Sequence, residues 1–268
     1  MSDVFSLTRP SAGSVPILLS VPHCGTSIPE DLRAEFIPEK IAQLDDTDWF
    51  VDQLYDFAPA MGITLLSARY SRWVIDLNRT PDNQPLYTDG RVITGLCPVT
   101  DFLGDPIYTD ARTSIDVSEV ERRKNVYYHP YHDQIHQILK ELQNQFGKVL
   151  LWDCHSIRRF VPSIRKDPFP DLILGDADRT SASPGLTEIT LRHLEGEGRV
   201  VSHNHPFKGG YITRHYGKPM EQCHALQLEM SKVNYMDDAE RNYHPQRAER
   251  IRELLKRNFE ELITLLLS

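Results

Sequence analysis

Three polar clusters in this chain follow runs that read as buried strands. Pro22-His23-Cys24-Gly25 follows 17–21, Asp153-Cys154-His155-Ser156 follows 149–152, and Gln227-Leu228-Glu229 lies toward the end of a segment starting at His224. An open α/β sheet presents its ligand site at such strand ends. Two histidines and a carboxylate arriving there from distant parts of the chain are donors for a divalent metal, zinc first. Either histidine alone is as readily a hydrogen-bonded strand-end histidine; the pair in equivalent positions favours the metal. Asp45-Asp46-Thr47-Asp48 precedes a helical pattern. Asp48 or Thr47 suits an N-cap, which leaves Asp46 free to point at a metal.

Arg69, Arg72 and Arg79 fall close together, with Asp76 and Asn78 among them. The planar guanidinium fork suits a carboxylate-bearing substrate; the competing reading is internal pairing with Asp76 or Asp46. His203 to Tyr211 and Thr213 to Gly217 form a glycine-rich polar loop pair with the mix of donors a substrate loop needs. No phosphate-binding glycine pattern is present. His129, His132 and His136 share a helical face but lack the carboxylate of a metalloprotease helix, so they read as solvated or capping residues. Cys24 and Cys154 adjoin the key histidines, but neighbours on a strand point to opposite faces, which argues against a thiol nucleophile.

The elements that must position these residues are legible from periodicity. Strands are expected at 17–21, 63–66, 73–75, 149–152, 171–174, 200–201 and 224–230. Helices are expected at 48–58, from a Ser118/Glu121 capping box, from Tyr131 to Phe146 beyond a break at Pro130, at 186–194, and in a closing amphipathic helix from Ile251 to Leu266. Residues 1–15 read as a loosely held leader. Residues 80–116, with no sustained period, read as a functional loop whose Phe102, Leu103, Ile107 and Tyr108 need burial. Alternating strands and helices imply an α/β fold: a mixed, largely parallel sheet with helices on both faces.

Composition narrows the function classes. The 268 residues are 40% hydrophobic and 25% charged, which fits one globular domain spanning 1–268. A formal charge of −8 argues against a nucleic-acid partner. No apolar run approaches a membrane span, and 1–10 lack the pattern of a secretory signal. The 4 cysteines form no tight framework and read as reduced thiols of a cytoplasmic protein.

The ordered set of motifs resembles the N-formylglutamate amidohydrolase (deformylase) family. It comprises Val21-Pro22-His23-Cys24-Gly25, Asp46-Thr47-Asp48-Trp49, Ser71-Arg72 with Asp76-Leu77-Asn78-Arg79, Asp153-Cys154-His155-Ser156, Gly209-Gly210-Tyr211 with Arg214, and Leu226-Gln227-Leu228-Glu229. The resemblance implies a fold similar to the zinc carboxypeptidases. It also implies a metal-dependent hydrolase that releases formate and L-glutamate from N-formyl-L-glutamate, the last step of a histidine-degradation route. Those peptidases take two ligands from H-x-x-E, whereas His23 is followed by Cys24, Gly25 and Thr26. The carboxylate ligand must therefore come from elsewhere. Asp46 is assigned to zinc beside His23 and His155, with Asp48 the competing carboxylate. Glu229 is expected to be the general base and Arg72 to support the oxyanion. Arg72, Asn78, Arg79, Tyr211 and Arg214 are expected to bind a small acidic N-acyl amino acid, with the Asn78-Arg79 pair on its α-carboxylate. The alternatives are a carboxypeptidase-like peptidase, a hydrolase of another small N-acyl amino acid, and a binding protein without chemistry.

Overall fold

The computed structural model describes residues 4–11, 13–84, 94–196 and 198–268. Seven strands are described: β1 Phe5–Thr8, β2 Ile17–Val21, β3 Thr64–Ala68, β4 Val149–Ile157, β5 Leu172–Gly175, β6 Val201–His203 and β7 Cys223–Ser231. They form one mixed sheet in the order β1-β3-β2-β4-β7-β5-β6. The central run β3-β2-β4-β7 is parallel, β1 and β5 pair antiparallel to their inner neighbours, and β6 runs parallel to β5. This is the largely parallel α/β sheet expected.

The helices are α1 Glu30–Arg33, α2 Pro38–Ala42, α3 Val51–Leu54, α4 Val117–Arg123, α5 His129–Phe146, α6 Pro184–Leu194, α7 Tyr211–Tyr216 and α8 Pro245–Leu267. Strand alternation divides the core between two layers. Leu150, Trp152 and Cys154 of β4 and Leu226, Leu228 and Met230 of β7 face α6 and α8, where Leu186, Leu254, Leu255 and Phe259 are buried. Val149 and Leu151 of β4 and Ala225 of β7 face α5 through Tyr131, Ile135, Ile138 and Leu142. Two residues further along that second face the side chains become Asp153, His155, Gln227 and Glu229. The period of two is kept while the chemistry changes from apolar to ionisable. Among the described residues no helix is long and apolar enough to cross a membrane.

Several sequence expectations need correction. Within the supposed leader, Phe5–Thr8 is an edge strand on β3, with Phe5 packed against Tyr131; residues 1–3 and 12 lie outside the described residues. The helix expected over 48–58 is only Val51–Leu54 followed by a 3-10 turn at Ala58–Met61, because Phe50 takes a left-handed φ of 62° and Pro59 follows. Trp73, Val74 and Ile75 are buried in a tight turn rather than a strand, with Val74 N donating to Ser71 O and Trp73 N to Ser71 Oγ. The N-cap of α4 is Asp116, which accepts from Ser118 N, so Ser118 is inside the helix. Pro130 sits in the first turn of α5, where its missing N–H is tolerated, and a π-helical segment, Lys124–Tyr128, precedes it. Of the 80–116 loop, Ile107 and Tyr108 are buried but Leu103 is 59% exposed; 85–93 lie outside the described residues.

His132 is also corrected, from a solvated or capping residue to a buried one. Its Nε2 lies 2.9 Å from Leu77 O and its Nδ1 3.0 Å from Tyr216 Oη. Leu77 O accepts from Nε2–H of a neutral ring, and the single Tyr216 phenol proton is shared between Nδ1 and the carbonyl of His132. Burial pushes its pKa down to about 3. The unfolded chain binds a proton near the ordinary value of 6.5 and the folded chain does not. The stabilisation is therefore complete above that value and is lost as pH falls toward the folded pKa. Between pH 6 and 4, urea unfolding should show wild type losing roughly 1.4 kcal/mol more per pH unit than His132→Gln; equal slopes would remove His132 from the acid sensitivity.

Candidate functional site

The site stands where β2, β4 and β7 end. Asp153, His155, Gln227 and Glu229 are still within their strands, because β4 and β7 pair continuously from Val149↔Cys223 to Ile157↔Ser231. The Asp153–Ser156 cluster, expected just after a strand ending at 152, is thus part of that strand, and Gln227–Glu229 lies within β7 as expected. His155 and Glu229 are paired across it, as are Asp153 and Gln227, so the four side chains leave one face side by side.

His23 lies just beyond β2. Its loop runs against the 69–71 segment, with Ser27 N donating to Arg69 O and Ser71 N to Ser27 O. Gly25 permits this approach: a Cβ there would sit 2.3 Å from Tyr70 O. The contact brings His23 beside the 71–79 turn and its Asp76. Asp76 is completely buried, and each of its oxygens is engaged. Oδ1 lies 2.8 Å from His23 Nε2 and accepts from Asn78 N at 2.9 Å, while Oδ2 accepts from Arg72 Nη2 at 2.6 Å. Arg79 Nη1 stands 3.6 Å from Oδ2. Burial alone would raise the Asp76 pKa, but the Arg72 and Arg79 charges hold it well below the carboxylate range. The internal pairing that competed with substrate binding is therefore realised for Arg72 and Arg79, on Asp76.

Asp48 reaches the histidines because its N–H donates to His23 O at 2.9 Å. Its Oδ2 is 3.1 Å from His155 Nδ1 and 3.7 Å from His23 Nδ1. It caps no helix, since α3 has no side-chain cap. On the far side of each ring stands another carboxylate: Asp76 at His23 Nε2, and Asp153 Oδ1 at 3.1 Å from His155 Nε2. His23 Nδ1 has no hydrogen-bond partner although it is buried. Among the described residues, His23, Asp48 and His155 form the one group of three whose ligand atoms lie within 4.8 Å of one another.

This donor set fits a metal. Two imidazole nitrogens and a carboxylate oxygen converge, one nitrogen has no other partner, and each outer ring nitrogen faces an orienting carboxylate. The electrostatics agree. Asp48, Asp76 and Asp153 outnumber Arg72 and Arg79 around the two rings, an excess that a divalent cation would offset. Burial and the Arg72 charge push His23 down to about 4. Burial also opposes charge on His155, but Asp153 and Asp48 outweigh it and raise that ring well above its ordinary value.

The assignment of Asp46 is not what this geometry favours. Its two oxygens accept from Phe102 N at 3.1 Å, and Oδ2 also accepts from Trp73 Nε1 at 2.9 Å. The turn aims Asp46 at the 101–103 loop and Asp48 at the rings. Asn78 is likewise committed inward: Oδ1 accepts from Ile212 N and Nδ2 lies 3.0 Å from His155 Nε2. Gly210 permits that packing, since a Cβ there would meet the Asn78 amide at 2.3 Å. Arg79 donates to Thr94 O and Oγ1. Arg72 lies over the Phe102 ring at 4.7 Å and spends one nitrogen on Asp76. Tyr211 stacks on His215, and Arg214, exposed on α7, donates to Gly209 O. Neither is among the residues touching the two rings.

Glu229 accepts no hydrogen bond among the described residues, although it is 9% exposed. Burial raises its pKa to about 8, with the Asp48 charge adding to the rise and the His155 and Arg72 charges opposing it. Cys24 and Cys154 are buried against the opposite layer, and burial raises both thiols well above their ordinary range. The sequence reading passed over Asp76 and Asp153 as orienting groups. Both carried a signal: Asp-x-Asn is an Asx-turn pattern, and alternation places Asp153 on the face of His155.

Comparison with known proteins identifies the family and the fold. The family model for N-formylglutamate amidohydrolase matches residues 15–236. The N-formylglutamate deformylase of Pseudomonas aeruginosa is 41% identical, covering 98% of this chain and 97% of that one. The Pseudomonas putida enzyme of the same name is 41% identical, over 85% of this chain and 84% of its own. A crystal structure of N-formylglutamate amidohydrolase from Ralstonia eutropha superposes with a TM-score of 0.83 at 29% identity, covering 98% of each chain. An Agrobacterium tumefaciens gene product shares the fold at TM-score 0.75 and 18% identity, covering 97% of this chain and 96% of its own. The chain belongs to the N-formylglutamate amidohydrolase family.

Proposed function

We propose that this protein hydrolyses N-formyl-L-glutamate to formate and L-glutamate, using one divalent metal held by His23, Asp48 and His155. The observation that carries the reading is that buried group with an unbonded carboxylate, Glu229, beside it. The names of its relatives supply the substrate. Zinc suits the two imidazoles and one carboxylate. When bound, the metal would polarise the formyl carbonyl and acidify a water.

The chain's own residues do the rest. Glu229 takes the proton of the attacking water and delivers it to the amide nitrogen, which leaves as the amine of glutamate. Burial raises the Glu229 pKa, which strengthens the carboxylate as a base, and the charge of a bound divalent metal would draw that pKa back down. Arg72 keeps N–H groups beyond its Asp76 contact, and we assign them to the oxygen that gains charge as the carbonyl becomes tetrahedral. Asp76 and Asp153 hold the histidine rings in orientation. We move Asn78 from the substrate to the positioning of His155, retain Arg79 for the α-carboxylate, and keep Tyr211 and Arg214 as substrate-binding residues. Release of glutamate and formate would close a histidine-degradation route, and 4 unpaired thiols fit a reducing, cytoplasmic setting.

Metal analysis of the purified protein with a formate-release assay tests the reading: one equivalent of divalent metal, and formate release lost on chelation and regained on re-addition. Asp48→Asn should lose the metal while Asp46→Asn retains it; the reverse result would return the ligand to Asp46. Asp76→Asn should weaken metal binding about 10–100-fold by releasing His23. Glu229→Gln should keep metal and substrate binding but lower kcat by roughly 10²–10⁴-fold, and near-normal turnover would place the base elsewhere.

A further inference from the structure

Three basic side chains are buried among the described residues: Arg72, Arg123 and Lys232. Arg72 is paired with Asp76, and Arg123 with Glu119. Lys232 is different. It is the first residue after β7, it is 3% exposed, and among the described residues no carboxylate lies within 4.0 Å of its ammonium. Its contacts are two backbone carbonyls, Thr47 O at 2.8 Å and Asp45 O at 3.5 Å. Neutral carbonyls only partly replace the hydration an ammonium loses on burial. Burial lowers the Lys232 pKa, with the Asp48, Glu240 and Asp46 charges opposing the drop, so an anion seated at the ammonium would favour its charged form.

Lys232 lines a cavity of about 240 Å³ whose wall includes Ser156 and Ile157 of β4, immediately beyond His155. The other charged groups of that wall are already engaged. Asp45 pairs with Arg158, Asp101 with Lys40, and Asp46 accepts from Trp73 and Phe102. Phe102, Phe160 and Val161 give the cavity an apolar side. A cavity with one apolar side and an ammonium that no carboxylate pairs suits a short aliphatic chain that ends in a carboxylate. Lys232 donates to the carbonyl of Thr47, the residue before Asp48, so the ammonium is tied to the same turn that carries Asp48. In N-formylglutamate about 6 Å separates the formyl carbon from the side-chain carboxylate carbon.

We infer that Lys232 is a specificity residue of this site, receiving the side-chain carboxylate of the acidic N-acyl amino acid. The inference rests on the hydrolase reading and deepens it. The N–H groups that Arg72 keeps beyond its Asp76 contact then serve the reacting carbonyl, and Arg79 the α-carboxylate.

The test compares N-formylglutamate with N-formylglutamine, which differs in that one charge, in the metal-loaded full chain. Wild type should favour the acid in kcat/KM by about 10–150-fold, and Lys232→Met should collapse that ratio toward one. A lysine that merely ties β7 to the 45–48 turn would, on replacement, lower both substrates together and leave the ratio intact, which overturns the inference. Calorimetric binding of L-glutamate against L-glutamine to wild type and K232M reads the same contact without turnover. It stands even if hydrolysis fails: a glutamate preference that survives in K232M refutes the role of Lys232, and its loss supports it. For the case in which K232M is not recovered folded, a wild-type structure with L-glutamate bound decides. Its side-chain carboxylate should lie at the Lys232 ammonium, and placement elsewhere overturns the assignment.

Discussion

The arrangement depends on Asp76. A carboxylate without solvent exposure survives as an anion only if it is fully hydrogen-bonded and faces positive charge, and Asp76 meets both conditions through Arg72, Arg79, Asn78 N and His23. Those partners come from one tight turn and from the loop after β2, so satisfying one charge also fastens two segments together. The ring of His23 is thereby oriented with Nε2 toward Asp76 and Nδ1 toward Asp48 and His155. Removing Asp76 would strand two guanidinium groups in the interior and free the ring at once.

The second constraint is the register of β4 and β7. Nine consecutive pairs hold His155 level with Glu229 and Asp153 level with Gln227. A slip by one residue would bring Trp152 and Cys154 to the site face and bury the ionisable set against α8. The apolar half of the same face, packed on α5, anchors the register against such a slip. The Asn78 amide and the Gly210 turn then brace the site from outside, since Gly210 N donates to Gln227 and Ile212 N to Asn78.

Much of this was legible in the sequence, and what was not has specific causes. The central strands were visible because they are uninterrupted apolar runs, and His23, His155 and Glu229 because they stand at the ends of those runs. The edge strand Phe5–Thr8 was hidden because only Phe5 and Leu7 bury a side; a half-exposed strand of four residues carries little pattern. The 71–79 turn read as a strand because Trp73, Val74 and Ile75 are buried, but periodicity cannot separate a buried turn from a strand. Asp46 and Asp48 were confused for a different reason. Both are buried, only two residues apart, and which one meets the rings is decided by a single backbone hydrogen bond, Asp48 N to His23 O, between segments about as far apart as β2 and α3. Local propensity argued for a cap at Asp48, and the tertiary contact overrode it. Lys232 gave no signal, because a lone lysine after a strand is ordinarily solvated; its meaning comes only from the lid of residues that buries it.

The site gathers charges that a fold selected for stability alone would avoid. Asp48 and the two imidazoles are held within reach of one another with little solvent to screen them, and Glu229 adds a carboxylate that accepts no hydrogen bond among the described residues. The Asp153 and Asp48 charges favour positive charge at this place and raise the His155 pKa well above its ordinary value. A divalent ion would compete with protons for the same groups and pull them together, which would link its binding to the stability of this end of the sheet. The apolar half of the sheet, packed from both sides, holds the geometry during the exchange. That division explains why one strand face carries Val149 and Leu151 at one end and Asp153 and His155 at the other: the first pair stabilises a position that the second pair, left to its own electrostatics, would not keep.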